Sequence, residues 1–251
     1  MSRVPKFVEL WVYLSATPLF GLTATLVVYV LAQTVYARLG HPPWANPVMW
    51  SVVLLAGGLL ATGVPYPSYF AGAQFIHFLL GPAVVALAWP LWQRRAELKQ
   101  RWGGLVIAAL AGGGVASTSA VLMAWALGLP PEVMLALAPK SVTAPVAMGI
   151  ADKLGGIAAL AAIFAVVTGL VGAMAGKYLF DALRIPTTKE GWAERGFALG
   201  TAAHGIGAAR ALQVNRDAGA YAALALGLQV VLATLLMPLL VPLLVKLLGA
   251  T

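Results

Sequence analysis

Cysteine is absent from the sequence, which excludes a disulfide framework, a thiolate metal site and a cysteine nucleophile. Charge is scarce too. Asp, Glu, Lys and Arg make up 10% of the 251 residues, where a soluble domain carries about 25%. Acids are rarer than bases, 8 against 16, and the 3 histidines, His41, His77 and His204, are scattered. Metal-assisted hydrolysis therefore lacks its clustered ligands. There is no Gly-rich phosphate loop and no Gly-x-Ser-x-Gly elbow. Lys140 and Ser141 are adjacent, a poor geometry for a nucleophile–base pair. Neither an enzymatic activity nor a cofactor is expected, and without a nucleotide-binding element any transport must draw on gradients or on a separate subunit.

What the chain has in abundance is apolar residues, at 61%. Residues 10–37 contain no charge, and a stretch of that length exceeds what crosses a ~30 Å hydrocarbon core. Arg3 and Lys6 precede it, and the run is too long for a signal-peptide core, so an uncleaved first span is expected. From 39 to 93 there is again no Asp, Glu, Lys or Arg. Breakers at Pro42, Pro43 and Pro47, then at Pro65 and Pro67, divide this stretch into spans at 48–63 and 69–92, the second with a kink or break at Gly81 and Pro82. Further spans are read at 103–129, 156–176 and 218–245. The architecture expected is an all-α polytopic membrane protein with about eight membrane segments, two of them interrupted or re-entrant. It forms a single transmembrane domain, with 1–38 as a peripheral first span and 39–251 as the core.

The net charge of +8 does not point to nucleic acid, because the bases sit in short clusters between apolar runs. That is the pattern by which membrane proteins orient themselves. Arg94, Arg95, Lys99 and Arg101 form a basic loop around Glu97, expected on the cytoplasmic side. Residues 177–195, with Lys177, Arg184, Lys189 and Arg195, form a polar connection on the same side if 132–155 is a re-entrant hairpin, and on the outer side if that segment spans.

Two stretches resist a continuous helix. In the first, Pro139 and Pro145 each remove a backbone N–H, and Ala138 and Ala144, each before a proline, are pushed towards extended geometry. Lys140, Ser141 and Thr143 lie between the prolines. A central lysine costs ~2.5–3.5 kcal/mol on insertion scales, so an idle one would be unusual. In the second, Gly200, Gly205 and Gly207 permit close approach and positive φ. Thr201 and His204 offer hydrogen-bonding groups on one face of a continuous helix. Arg210 adds a permanent cation with a fork suited to a carboxylate. Paired interrupted segments mark midplane sites in transporters. Short likenesses, 80–88 with 137–145, and Glu132 before Pro139 with Glu194 before Thr201, allow internal repeats.

Each of these residues also has a structural reading. Lys140 would snorkel to an interface, Ser141 and Thr143 would satisfy backbone carbonyls, His204 would be a packed, hydrogen-bonded residue, and Arg210 would anchor an interface with Arg216. Ser117, Thr118 and Ser119 after Gly112, Gly113 and Gly114 suit close helix contact better than ligand binding. His41 and His77 read as loop and packing residues.

The run from Pro139 through Lys140, Ser141, Thr143 and Pro145, the pair Gly155 and Gly156, and the run from Gly200 through Thr201, His204, Gly205, Gly207 and Arg210 together resemble the LrgB/CidB membrane protein family. Asn46-Pro47-Val48, the 66–69 stretch and the 81–88 stretch resemble its N-terminal half. Familiar members have two consecutive threonines where this chain has Thr143 and Ala144. The family includes holin-like regulators of murein hydrolases and autolysis, a plastid glycolate/glycerate transporter, and bacterial pairs linked to pyruvate. The resemblance implies a multi-pass protein of the bacterial plasma membrane with a separate small partner of the LrgA/CidA type. The expected function is a secondary carrier or facilitator of small monocarboxylates such as glycolate, glycerate, lactate or pyruvate. The alternative is a holin-like regulator of murein hydrolase export. Lys140 and Arg210 would offset the anion's charge, Ser141, Thr143, Thr201 and His204 would bind its oxygens, and Gly205 and Gly207 would let the backbone approach. His204 would suit a coupled proton, since imidazole ordinarily titrates near neutrality. A homodimer is expected of a carrier that rocks or slides.

Overall fold

The computed structural model describes residues 19–86, 89, 92 and 95–249. The expectations for Arg3, Lys6 and Arg94 fall outside them. The described residues form helices and turns without strands. They group into two compact units, one holding the helices up to Ala86 and the other those from Arg95 onward. By length and composition four helices among the described residues are able to cross a membrane: Leu19–Arg38, Lys99–Ala126, Ala158–Ala182 and Arg216–Leu247.

The first unit contains α1 (Leu19–Arg38), a 3-10 turn at Pro43–Ala45, α2 (Pro47–Thr62) and α3 (Tyr66–Ala86). Asn46 caps α2, its side chain accepting from the N–H groups of Val48 and Met49. Pro47 occupies the first helical turn, where its missing N–H costs nothing. The Asn-Pro-Val signature is thus a helix start. Tyr69 reaches across to Thr25, the two hydroxyls 2.7 Å apart. His41 packs edge-on against the buried ring of Tyr36, as the packing reading required. Pro82 lies inside α3 without ending it, so of the kink or break expected at Gly81–Pro82 the break does not form.

The second unit contains α4 (Arg95–Ala126), α5 (Pro131–Leu137), α6 (Ala144–Leu154), α7 (Ala158–Ala182), α8 (Lys189–Val214) and α9 (Arg216–Leu247). Two boundaries differ from expectation. The basic loop from Arg95 to Arg101 is helical and opens α4. Its Ala, Glu, Leu, Lys, Gln and Arg are strong helix formers, and charge alone does not break a helix. Likewise α7 continues through Lys177 to Ala182, leaving only 183–188 as connection.

Both interruptions are real, and each folds the chain back. Helix α5 ends at Leu137 and α6 begins at Ala144. Gly156, just past α6, lies so close to Ala136 N that an added Cβ would come within 2.8 Å. The α6 arm has therefore returned to the α5 arm. Ala138 is right-handed helical rather than extended, because its N–H still bonds Met134 O at 3.1 Å. Ala144 is already the first helical residue, and the extended residue at the α6 entrance is Thr143 (φ −61°, ψ 147°).

In α8 the backbone leaves helical geometry at Ala203 and His204. Leu199 and Gly207 would be about 12 Å apart along a continuous helix. Instead an added Cβ on Gly207 would stand 2.6 Å from Leu199 O. The two arms of α8, 189–203 and 205–214, lie against each other. Packing onto α9 agrees: Gly196 meets Ala218 O and Gly200 meets Ala222 O. The first arm and α9 thus run parallel, which requires the second arm to come back between them.

Candidate functional site

Helix α7 carries both hairpins. The first hairpin leads into its N-terminus through 155–157, and the second follows its C-terminus through 183–188. Small residues make this possible. Ala161 and Ala165 join Ala138 and Val142 of the first tip in one packed cluster. Farther along, Gly169 faces the His204 ring, Gly172 faces Ala203 and Gly176 faces Leu199, each with space for no more than hydrogen. Any Cβ at these glycines would fall within 3.0 Å of the second hairpin.

A side-chain hydrogen bond also holds the second tip. His204 Nε2 lies 2.7 Å from Ala165 O, and the residue is 3% exposed. A carbonyl only accepts, so Nε2 donates and carries the proton. His204 has φ 41° and ψ −132°, outside the regions open to a side chain at low cost. Of the two things that Gly200, Gly205 and Gly207 permit, close approach is used at Gly200 and Gly207 and positive φ at none of the three. Gly200 is needed instead for contact with Ala222. The break falls three residues after Gly200, and it removes the shared helical face expected for Thr201 and His204.

This geometry predicts an inverted substitution series. His204→Ala loses the Ala165 bond and keeps the strained backbone. His204→Gly loses the same bond and relieves the strain. The glycine variant should therefore melt higher than the alanine variant, by the equivalent of about 1 kcal/mol, whereas inside an ordinary helix glycine is worse than alanine by about that amount. Thermal unfolding of the two purified proteins measures the order.

Ser141 is 4% exposed and Thr201 6%. The hydroxyl oxygens of both are buried without a hydrogen-bond partner among the described residues. Most buried hydroxyls in proteins find a partner. Ser141 and Thr201, at or near hairpin tips, are two buried groups left without one; Gln33 Oε1 in α1 is another. Lys140 is half-buried in the first tip, its N–H bonding Leu137 O at 3.1 Å. Thr143 is the N-cap of α6, but its side chain does not cap. Pro139 is buried and Pro145 is exposed in the first turn of α6. Gly205 has open space around it.

Arg210 is placed elsewhere. It is 7% exposed and lines a cavity of roughly 250 Å³ together with Lys177, Asp181 and Arg195, at the open end of the second hairpin. Arg210 is therefore not grouped with the tip residues, and Arg216, suggested as its companion, is exposed at the start of α9.

Two features escaped sequence reasoning. Arg195 is 7% exposed and fully engaged, pairing with Asp181 at 2.9 Å, donating to Ile185 O, and lying over the rings of Phe180 and Trp192. Gln229 is 3% exposed and donates from Nε2 to Ala109 O at 2.6 Å, with Gly113 making room for its amide. A signal for Gln229 was present: it is the sole amide side chain in the last apolar run. The Gly112–Gly114 stretch does serve close contact, Gly112 meeting Thr201 and Gly113 meeting Gln229.

Residues 25–243 match the model of the LrgB-like family. Among curated proteins the chain is similar to YxaC of Bacillus subtilis, 31% identical over 84% of this chain and 89% of that one. It is similar to YwbG of the same organism at 32%, over 84% and 92%. The holin-like protein CidB of Staphylococcus aureus is 28% identical over 84% and 90%. No solved structure matches.

Proposed function

The chain belongs to the LrgB-like family, and from that premise we propose that this membrane protein is a secondary carrier or facilitator of small organic monocarboxylates. One observation carries the reading: the buried hydroxyls of Ser141 and Thr201, at or near two hairpin tips of the second unit, have no hydrogen-bond partner among the described residues, while the middle of the supporting helix is apolar. Ser141 and Thr201 have buried hydroxyls to spare. Lys140 supplies a positive charge. The α6 N-terminus offers backbone N–H groups that its own N-cap side chain does not take, the usual setting for a carboxylate. A monocarboxylate bearing a hydroxyl or keto group has one charged and one neutral partner to satisfy, which matches this inventory.

In this reading both hairpins are re-entrant. They enter the bilayer from opposite sides, because they attach to opposite ends of α7, and meet near its middle. Irregular backbone at that depth is tolerated only beside protein or a watery cavity. The protein would be a multi-pass component of the bacterial plasma membrane, working as a homodimer and with a small LrgA/CidA-like partner. His204, whose proton is on Nε2 and whose Nδ1 is then an acceptor, is the candidate for proton coupling.

The names of the CidB relatives favour a second reading, a holin-like component. A pore needs polarity distributed along several helices, whereas a carrier needs it at one depth. Vesicles reconstituted with the full-length protein and loaded with dye and glycolate separate the two. The carrier predicts saturable glycolate flux, competition by lactate or pyruvate, counterflow, and retained dye. Dye escape at the protein dose that moves glycolate, without saturation, would overturn it. If neither solute moves, the same vesicles are assayed with the small partner present, and glycolate that still stays put rejects the carrier.

A further inference from the structure

The cavity at the open end of the second hairpin plays no part in the tip site. Its lining contains three basic side chains, Lys177, Arg195 and Arg210, and one acidic, Asp181. Basic side chains thus outnumber acidic ones in the lining, and Asp181 is paired with Arg195. Both arginines are more than nine-tenths buried. Apart from Thr187 the rest of the wall is mostly apolar, including Phe180, Trp192 and Val214.

Its depth in the bilayer follows from α7. That helix has the length and composition to cross a membrane, and its last turns carry Lys177 and Asp181. Arg184, Lys189 and Glu190 follow directly. Charge gathered at the end of an apolar helix places this level at the headgroups. The exposed Tyr178 and partly exposed Trp192 suit the same level. With the first hairpin re-entrant, as proposed above, the connection and its flanking Lys177, Arg184, Lys189 and Arg195 lie on the cytoplasmic side, the leaflet with the negative surface. A small hydrophilic anion would gain little from a mostly apolar wall. An amphiphile with one anionic oxygen group would use both the cations and the wall.

We propose that this cavity binds the headgroup of an anionic phospholipid, the phosphate against Arg210 and Lys177 and the glycerol and first methylenes against Phe180, Trp192 and Val214. The site is formed by both arms of the second hairpin and by α7, so an occupied site fastens the hairpin base to its supporting helix.

The test uses the full-length protein purified in a neutral detergent, with retained lipid read by native mass spectrometry. Phosphatidylglycerol, phosphatidylcholine and inorganic phosphate are added in parallel. Phosphatidylglycerol should be retained at least tenfold over phosphatidylcholine, and it should raise the melting temperature. Lys177→Gln, at an exposed position, should weaken retention about fivefold, the usual worth of one basic residue near an anionic surface. Arg210→Gln should weaken it more, with phosphatidylcholine retention unchanged in both variants. Equal retention of the two lipids, or phosphatidylglycerol retention unchanged in Lys177→Gln, would refute the site. Inorganic phosphate displacing the lipid at equal concentration would also refute it, by showing a site for free anions. Glycolate transport is not part of the readout, so the outcome is independent of the carrier reading.

Discussion

Lys140→Met should lower the affinity for every transported monocarboxylate by at least ~30-fold while the protein still folds and inserts. Methionine keeps the length and apolar stem of lysine and removes only the ammonium. Losing one partner of a desolvated charge pair costs about 2–5 kcal/mol, which corresponds to at least thirtyfold. Folding should not suffer, because the buried neighbours of Lys140, Pro139 and Val142, already form the packed part of the tip, and a central lysine is itself a cost to insertion. Equilibrium binding of glycolate, lactate and pyruvate to the purified variant measures the effect, with a melting curve as the folding control. Unchanged affinity in a folded variant would make Lys140 a structural residue and remove the charged half of the proposed site.

The largest effect on stability is expected at Gly200. A Cβ there would stand 2.1 Å from the carbonyl oxygen of Ala222, a distance no real contact allows. The obstacle is backbone inside a long helix, so it cannot rotate away as a side chain would. Gly200→Ala should therefore cost as much as or more than the ~1–3 kcal/mol typical of overpacking, pushing α8 off α9 and taking the second hairpin with it. Gly205→Ala is the control. It lies next to the tip, but nothing approaches within 4 Å of its missing Cβ, and its φ is not positive. Its melting temperature should stay within the equivalent of about 0.5 kcal/mol of the parent. Two glycines five residues apart, equivalent by sequence, should thus separate sharply in one thermal-unfolding experiment. Similar curves would show that α8 and α9 do not pack as described.

The two likenesses within the sequence also separate in space. Leu80 to Ala86 lies inside the continuous helix α3, whereas 137–145 is a hairpin tip. A proline in a helix frees a carbonyl but does not itself turn the chain. The other likeness, Glu132 before Pro139 and Glu194 before Thr201, falls on the two hairpins.

What the sequence determined by itself is local. Scarce charge and long apolar runs made the chain a helical membrane protein, since no soluble core needs them. Prolines at 139 and 145, with the polar residues between them, marked the interruption, although single prolines at 82, 238 and 242 stay inside helices. The family was legible in contiguous motifs. What only the tertiary structure decided depends on residues far apart in the chain. Propensity has no term for the direction of the chain after a break, so whether the arms continue or double back rests on Gly207 meeting Leu199 and Gly156 meeting Ala136. Positive φ settled on His204 instead of a neighbouring glycine because Ala165 O holds the ring from another helix. Arg210 parted from His204, six residues away, because the fold-back carries it to the base of the hairpin beside Arg195. Spacing along a chain predicts proximity only while the helix runs straight, and here the helix turns at the residues that matter.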